Sequence, residues 1–213
     1  MTQQNKALIV VDVQNDFLPG GALAVAGGDE IVPVVNTLTA AFETVVLTAD
    51  WHPAGHVSFA SSHAGSAPFD VIAIEGTGSQ VLWPDHCVAG TAGADFAPGL
   101  ETTHAAVIVR KGMHENCDSY SGFMEADRKT KTGLAGWLAE RGIREVWVCG
   151  LATDFCVSWT ALDAAAVGFT VQVVEEASRA SDADGSLAKA RAAWAEAGVA
   201  TVTVADTLKA LGR

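Results

Sequence analysis

The chain has 213 residues, a formal charge of −12 and a sequence pI near 4.7, and no cluster of Lys or Arg interrupts the acidity. That balance argues against partners that are recognised through a basic surface, so neither nucleic acid nor an anionic membrane is expected to bind. The apolar fraction is 49%, yet no apolar run approaches the ~20 residues of a membrane span.

The opening residues Met1-Thr2-Gln3-Gln4-Asn5-Lys6 lead directly into a strand-like run, so no signal peptide is expected. No linker divides the sequence, and one domain over 1–213 is expected. The four cysteines (Cys87, Cys117, Cys149, Cys156) have no C-x-x-C spacing and fit free thiols in a reducing cytoplasm. There is no G-x-G-x-x-G after a strand, no Walker A loop and no H-E-x-x-H, which removes the main support for common nucleotide and zincin readings.

In chain order, residues 7–11 form a continuous, β-branched apolar run, as in a strand buried on both faces of a parallel sheet. It ends at Asp12. A glycine-rich loop follows, and then Ile31, Val35, Leu38 and Phe42 recur at helical spacing, with Asp29 as cap and Pro33 near the start. Residues 45–47 are the second strand, ending at Thr48-Ala49-Asp50. From Trp51 to about Thr103 the periodicity breaks down, while His52, His56, His63 and His86 crowd the segment and His104 follows it. A long irregular stretch inside a compact chain is usually functional. Local structure is expected only near 71–74 and 78–82.

Residues 105–109 resume the sheet and end at Arg110-Lys111. Leu134, Trp137 and Leu138 mark a helix capped by Thr132 and stopped at Gly142. The fourth strand is 146–149, followed by a helix from about Asp154 to Ala166. The fifth strand is 170–174. A helix through Leu187, Ala190, Trp194 and Ala197 precedes a sixth strand at 200–204. Alternating strands and helices predict an α/β fold, one parallel sheet with helices on both faces.

Ligands in such sheets bind beyond the carboxyl ends of the strands. The residues expected there are Asp12, Asp50, Lys111 and Cys156. A cysteine at the start of a helix lies near free N–H groups and the positive end of the dipole, which favour the thiolate. A carboxylate can take its proton, and a lysine keeps the carboxylate charged, so the three would titrate as a set. Singly, each has an ordinary reading as cap, surface charge or core thiol. Together at one edge they favour catalysis. In Asp50-Trp51-His52, an extended backbone turns carboxylate and imidazole the same way. With His86 or His56 from the long loop they would make a mixed oxygen and nitrogen metal site.

The chain resembles the nicotinamidases of the isochorismatase-like cysteine hydrolases almost end to end. The resemblance rests on Val11-Asp12-Val13-Gln14-Asn15-Asp16-Phe17, on Thr48-Ala49-Asp50-Trp51-His52-Pro53 and on Trp83-Pro84-Asp85-His86-Cys87-Val88. It continues in Lys111-Gly112 with Asp118-Ser119-Tyr120-Ser121-Gly122-Phe123, and in Gly150-Leu151-Ala152-Thr153-Asp154-Phe155-Cys156-Val157. It implies a three-layer α/β/α fold with a six-stranded parallel sheet in the order 3-2-1-4-5-6. In that order Lys111 must reach across one strand to Asp12.

The resemblance further implies Cys156 as nucleophile, Asp12 as proton shuttle and Lys111 as their electrostatic partner. Asp50, His52 and His86 would hold one divalent metal (zinc, iron or manganese), with His56 left as a supporting residue or occasional ligand. The backbone N–H groups of Ala152 and Cys156 would form the oxyanion hole beside a cis peptide between Leu151 and Ala152. Phe17, Trp83 and Tyr120 would hold the ring of a small heteroaromatic amide, nicotinamide, in a cytoplasmic monomer or homo-oligomer. The alternatives are another cysteine amidohydrolase or a vinyl-ether-cleaving relative, which do not need the metal trio. A silent binding module of this fold, and a metal-only amidase in which Cys156 merely packs, complete the set.

Overall fold

The computed structural model describes residues 3–74 and 78–213. Six strands form one parallel sheet: β1 (Lys6–Val11), β2 (Val45–Asp50), β5 (Ala105–Lys111), β6 (Glu145–Leu151), β7 (Thr170–Arg179) and β8 (Ala200–Val202). They are ordered β5-β2-β1-β6-β7-β8, the expected 3-2-1-4-5-6. A separate antiparallel pair, β3 (Val71–Ile74) and β4 (Gly78–Val81), lies in the long irregular segment.

Strand β1 is buried along its whole length because it sits at the centre with apolar residues facing both ways. Leu8 and Val10 face one core, with Ile31, Val35 and Leu38 from α1 (Val32–Thr39) and its lead-in, and Leu208 and Leu211 from α5 (Val204–Ala210) and its end. Ala7, Ile9 and Val11 face the other, with Leu134 and Leu138 of α2 (Leu134–Glu140), Ala161 and Ala164 of α3 (Ser158–Ala166), and Ala190 and Trp194 of α4 (Ser186–Ala197). Each fully buried Val, Leu or Ile contributes roughly 1.5–3 kcal/mol relative to its exposed state. The result is a three-layer α/β/α architecture. No helix of the described residues is long and apolar enough to cross a membrane.

Several local expectations are corrected. Val204 opens helix α5 instead of closing a sixth strand: the Thr203 hydroxyl accepts from the Asp206 N–H at 3.0 Å, a side-chain cap that ends β8 at Val202. The fifth strand extends from 170 to 179, past the apolar run. Asp29 does not cap α1. It lies inside a 3₁₀ turn (Gly28–Ile31) entered from Gly27. Thr132 does accept the Leu134 N–H at 3.2 Å, one residue before the helix boundary at Gly133. The segment after β6 begins as a π turn (Thr153–Val157), with the Val157 N–H on the Ala152 carbonyl at 3.1 Å, and only then becomes α3.

Candidate active site

At the carboxyl end of the sheet Asp50 and Lys111 close regular strands, while the backbone departs from its regular path at other points. Asp12 directly follows β1 and has a left-handed φ of 50°, and Cys87, beside His86, has a φ of 46°. Aspartate tolerates this region better than most residues. The Leu151–Ala152 peptide is cis, as expected.

Lys111, the last residue of β5, is the hub. Its ammonium lies 2.8 Å from Asp12 Oδ2, 2.5 Å from Asp50 Oδ1, 2.9 Å from the Ser119 carbonyl and 3.5 Å from Cys156 Sγ. The reach across β2 to the end of β1 is thus made. Asp12, Lys111 and Asp50 are all buried, and Cys156 is 6% exposed. Thr48 donates its hydroxyl to Asp12 Oδ1 at 2.6 Å.

Burial pushes the Asp12 carboxyl above its usual range, with the Lys111 charge opposing. Burial also pushes the Cys156 thiol well up, again against Lys111. For Asp50, burial works against ionisation, but Lys111 and the neighbouring imidazoles outweigh it and hold the carboxyl well below the usual range. The isolated helix-start reading of Cys156 therefore gives way to a shared proton system, in which the sulfur rests as a thiol until a partner takes its proton.

A second group adjoins the first through Asp50. The His52 and His86 Nε2 atoms lie 3.6 and 3.9 Å from Asp50 Oδ2. His52 Nδ1 meets the Gly112 carbonyl at 2.9 Å and His86 Nδ1 meets the Pro84 carbonyl at 2.8 Å. Carbonyls only accept, so each Nδ1 carries a hydrogen, and Nε2 is the atom of each ring free to give a lone pair to a cation once it is unprotonated. Two imidazole lone pairs and a carboxylate oxygen then converge within 4.8 Å of one another, the donor set of a divalent cation.

Two other groupings are equally close but chemically unsuited. Asp12, Asp50 and Cys156 surround the Lys111 ammonium. His52, His56 and Asp118 include a His56 whose Nδ1 faces the Ser58 hydroxyl at 2.7 Å and whose Nε2 faces the Cys117 carbonyl at 3.1 Å. Burial and the nearby His52 push the His56 pKa down to about 4, so it is neutral near pH 7. It stacks on His52 at 4.2 Å between ring centroids and supports that ring.

These groups open onto one pocket. Phe17, Trp83 and Tyr120 line it as expected, together with Phe155, Asp118 and Ser181. Ala152, Cys156, Asp50 and His86 line it too. The sequence reading missed several supporting residues. The Gln14 carboxamide accepts from the Asp50 N–H at 2.8 Å and donates to the Asp50 carbonyl at 2.9 Å. Phe59 packs edge-on against His52, His56 and His86. Gly112 has a φ of 64°, and a Cβ there would meet the His52 ring at 2.4 Å. For Gln14 and Gly112 the only signal was their place inside the matched motifs.

The chain is similar to several known proteins. The Isochorismatase domain model matches residues 6–206. A nicotinamidase of Acinetobacter baylyi is 57% identical over 192 residues, covering 90% of this chain and 88% of that protein. Among solved structures, the Acinetobacter baumanii nicotinamidase/pyrazinamidase superposes with a TM-score of 0.94 at 54% identity, covering 96% of this chain and 98% of that one. PnC1 of L. infantum, solved in complex with nicotinate, matches at 0.84 and 38% identity, over 96% of each chain. The pyrazinamidase of Pyrococcus horikoshii, solved in complex with zinc, matches at 0.76 and 36% identity, over 93% of this chain and 99% of that one. The chain belongs to the isochorismatase family.

Proposed function

We propose that the chain, as one hydrolase domain over 1–213, is a nicotinamidase. It hydrolyses nicotinamide to nicotinate and ammonia through a thioester on Cys156, and it accepts pyrazinamide as well. The observation that carries the reaction type is the Lys111 ammonium in contact with Asp12, Asp50 and the Cys156 sulfur in one buried cluster. The substrate class is supported by the aromatic pocket and by the names of the relatives above. Free thiols at Cys87, Cys117, Cys149 and Cys156 support a cytoplasmic location.

Asp12 takes the Cys156 proton as the sulfur attacks the carboxamide carbon, and Lys111 keeps the developing charges balanced. The backbone N–H groups of Ala152 and Cys156 receive the oxyanion, where each such donor is worth about 2.7–4 kcal/mol of transition-state stabilisation. Asp12 then delivers the proton to the departing amine, the C–N bond breaks, and ammonia leaves. In the second half Asp12 takes a proton from water, the resulting hydroxide attacks the thioester carbonyl, and the C–S bond breaks to release nicotinate and regenerate the thiol. Phe17, Trp83 and Tyr120 hold the ring flat against the site, which converts binding into orientation. Asp50, His52 and His86 would hold one divalent cation, zinc, iron or manganese, with zinc favoured by the Pyrococcus horikoshii complex. When bound, that cation supplies a positive centre for the ring nitrogen and so a positioning role.

The deciding experiment incubates the metal-loaded protein with nicotinamide and measures ammonia and nicotinate. Equimolar release is expected, and no release removes this reading.

A further inference from the structure

Beside the substrate pocket lies a second cavity, lined by Gln80, Ser121, Met124, Arg128 and Trp159 among others. Tyr120 lines both cavities and is the residue common to them. Its ring stacks on Trp159 at 6.0 Å on one side and meets Phe155, a lining residue of the substrate pocket, at 6.2 Å. The width of the substrate pocket on this side is therefore set by where the phenol is held.

Two polar contacts reach its hydroxyl. The Trp83 indole N–H donates to Tyr120 Oη at 3.0 Å, and the Gln80 amide also approaches it. The neighbouring Asp118 carboxylate accepts the Ser119 N–H on Oδ1 and the Gln80 amide on Oδ2, both at 2.7 Å. Gln80 also donates to the Val81 carbonyl at 2.7 Å and comes within 3.4 Å of Tyr120 Oη. Gln80 is the buried residue, 4% exposed, in a strand pair whose other described residues are exposed or half-buried. A glutamine so placed, with both amide hydrogens committed, is built for position, since burying it without partners would be costly.

We propose that Gln80, anchored on Asp118 and reaching Tyr120 Oη, is a specificity-determining positioning residue that keeps Tyr120 as a partition between the substrate pocket and the second cavity, limiting the enzyme to single-ring carboxamides. This rests on the nicotinamidase reading. Loss of the Gln80 amide frees Asp118 Oδ2 and lets the Tyr120 ring lean into the second cavity. The pocket then widens and holds a single ring less well.

The test compares nicotinamide with the two-ring quinoline-3-carboxamide on the metal-loaded wild type, Gln80→Ala, Gln80→Glu, and Gln80→Glu combined with Asp118→Asn. Gln80→Ala should raise KM for nicotinamide about 3–10-fold, the worth of one net hydrogen bond, with kcat changed less than about 2-fold. The kcat/KM ratio of the two-ring to the one-ring amide should rise on the order of 10-fold. Gln80→Glu, which sets two carboxylates against each other, should do at least as much. The double variant exchanges donor and acceptor at unchanged total charge and should return both KM and selectivity toward wild type.

Unchanged selectivity in Gln80→Ala, or a double variant no better than Gln80→Glu alone, overturns the proposal. Binding of the two amides by the same Gln80 variants in a Cys156→Ala background, read from quenching of tryptophan fluorescence, reports the same selectivity without turnover. An inert wild type would refute the nicotinamidase reading, while the binding ratio would still decide the partition.

Discussion

The two halves of the site are built from the same kinds of buried, charged side chains, yet they are closed in different ways. Around Cys156 the charges answer one another within the protein: Lys111 faces Asp12, Asp50 and the sulfur, and Thr48 donates to Asp12. Around His52 and His86 the main-chain carbonyls of Gly112 and Pro84 take the Nδ1 hydrogens, which turns the Nε2 lone pairs inward on Asp50. The first half is arranged to pass a proton, and the second to receive a cation. The difference lies in whether the protein supplies the donor or only the acceptors. Asp50 belongs to both, with Oδ1 on Lys111 and Oδ2 toward the imidazoles.

If the halves have separate tasks, they can be broken separately, except at the shared Lys111 and Asp50. Cys156→Ala should lower turnover by at least ~10⁴-fold, with metal content by elemental analysis and the circular dichroism spectrum unchanged. Residual activity near wild type would move the chemistry to the metal half. Lys111→Met should damage both halves, because it strands the Asp12 and Asp50 carboxylates without their cation. A destabilisation of about 3–5 kcal/mol in urea unfolding is expected, together with weaker metal retention. A fully stable variant would show that the carboxylates do not depend on it.

Gly112→Ala should act on the metal half alone. The new methyl group meets the His52 ring, and displacing such an orienting contact typically costs about 10–100-fold in metal affinity. The alkylation rate of Cys156 by iodoacetamide should stay within about 2-fold, and a larger change would couple the halves more tightly than drawn here.

Thr48→Val should act on the proton half. It removes a donor that favours the ionised Asp12, so the Asp12 pKa rises further and the acidic limb of the pH–rate profile moves to higher pH. A limb that stays in place would show that Asp12 does not govern it. The smallest effect lies away from the site. Hydrogen bonding to Glu125 raises the His114 pKa above 6.5, so its contribution to stability is present below that value and is lost as pH rises through the raised one. The Tm difference between wild type and His114→Gln should shrink over that rise, and a constant difference would refute the linkage.

The sheet was readable in the sequence because its central strands are buried on both faces and therefore appear as unbroken apolar runs. Their ends pointed to Asp12 and Asp50, the end of the edge strand β5 pointed to Lys111, and the matched motifs added His86 and the pocket aromatics. What could not be read depended on distant partners. Gln14 meets Asp50, and Gln80 meets Asp118, across 36 and 38 residues, and no local pattern announces either bond. Helix α5 was hidden because Val204 continues a β-branched run, although Thr203 and Asp206 carried the cap signal in plain view. The outer part of β7 was hidden by Glu175 and Glu176, polar residues within a strand otherwise recognised by its valines. The π turn needs one bond of unusual span between Ala152 and Val157, which hydrophobic periodicity does not encode.

Gly150 has a consequence for mechanical precision. A Cβ at this position would lie 2.1 Å from the Val11 carbonyl oxygen, so β6 and β1 approach each other at their site ends more closely than any other residue allows. Asp12 follows β1 directly and Cys156 follows β6 by one turn. Acid and sulfur are thus referred to a single stiff junction. The relative placement of the two residues is therefore set by one close backbone contact instead of by two independent elements. For a reaction that tolerates misplacement of well under an ångström, a missing methyl group acts as the alignment pin.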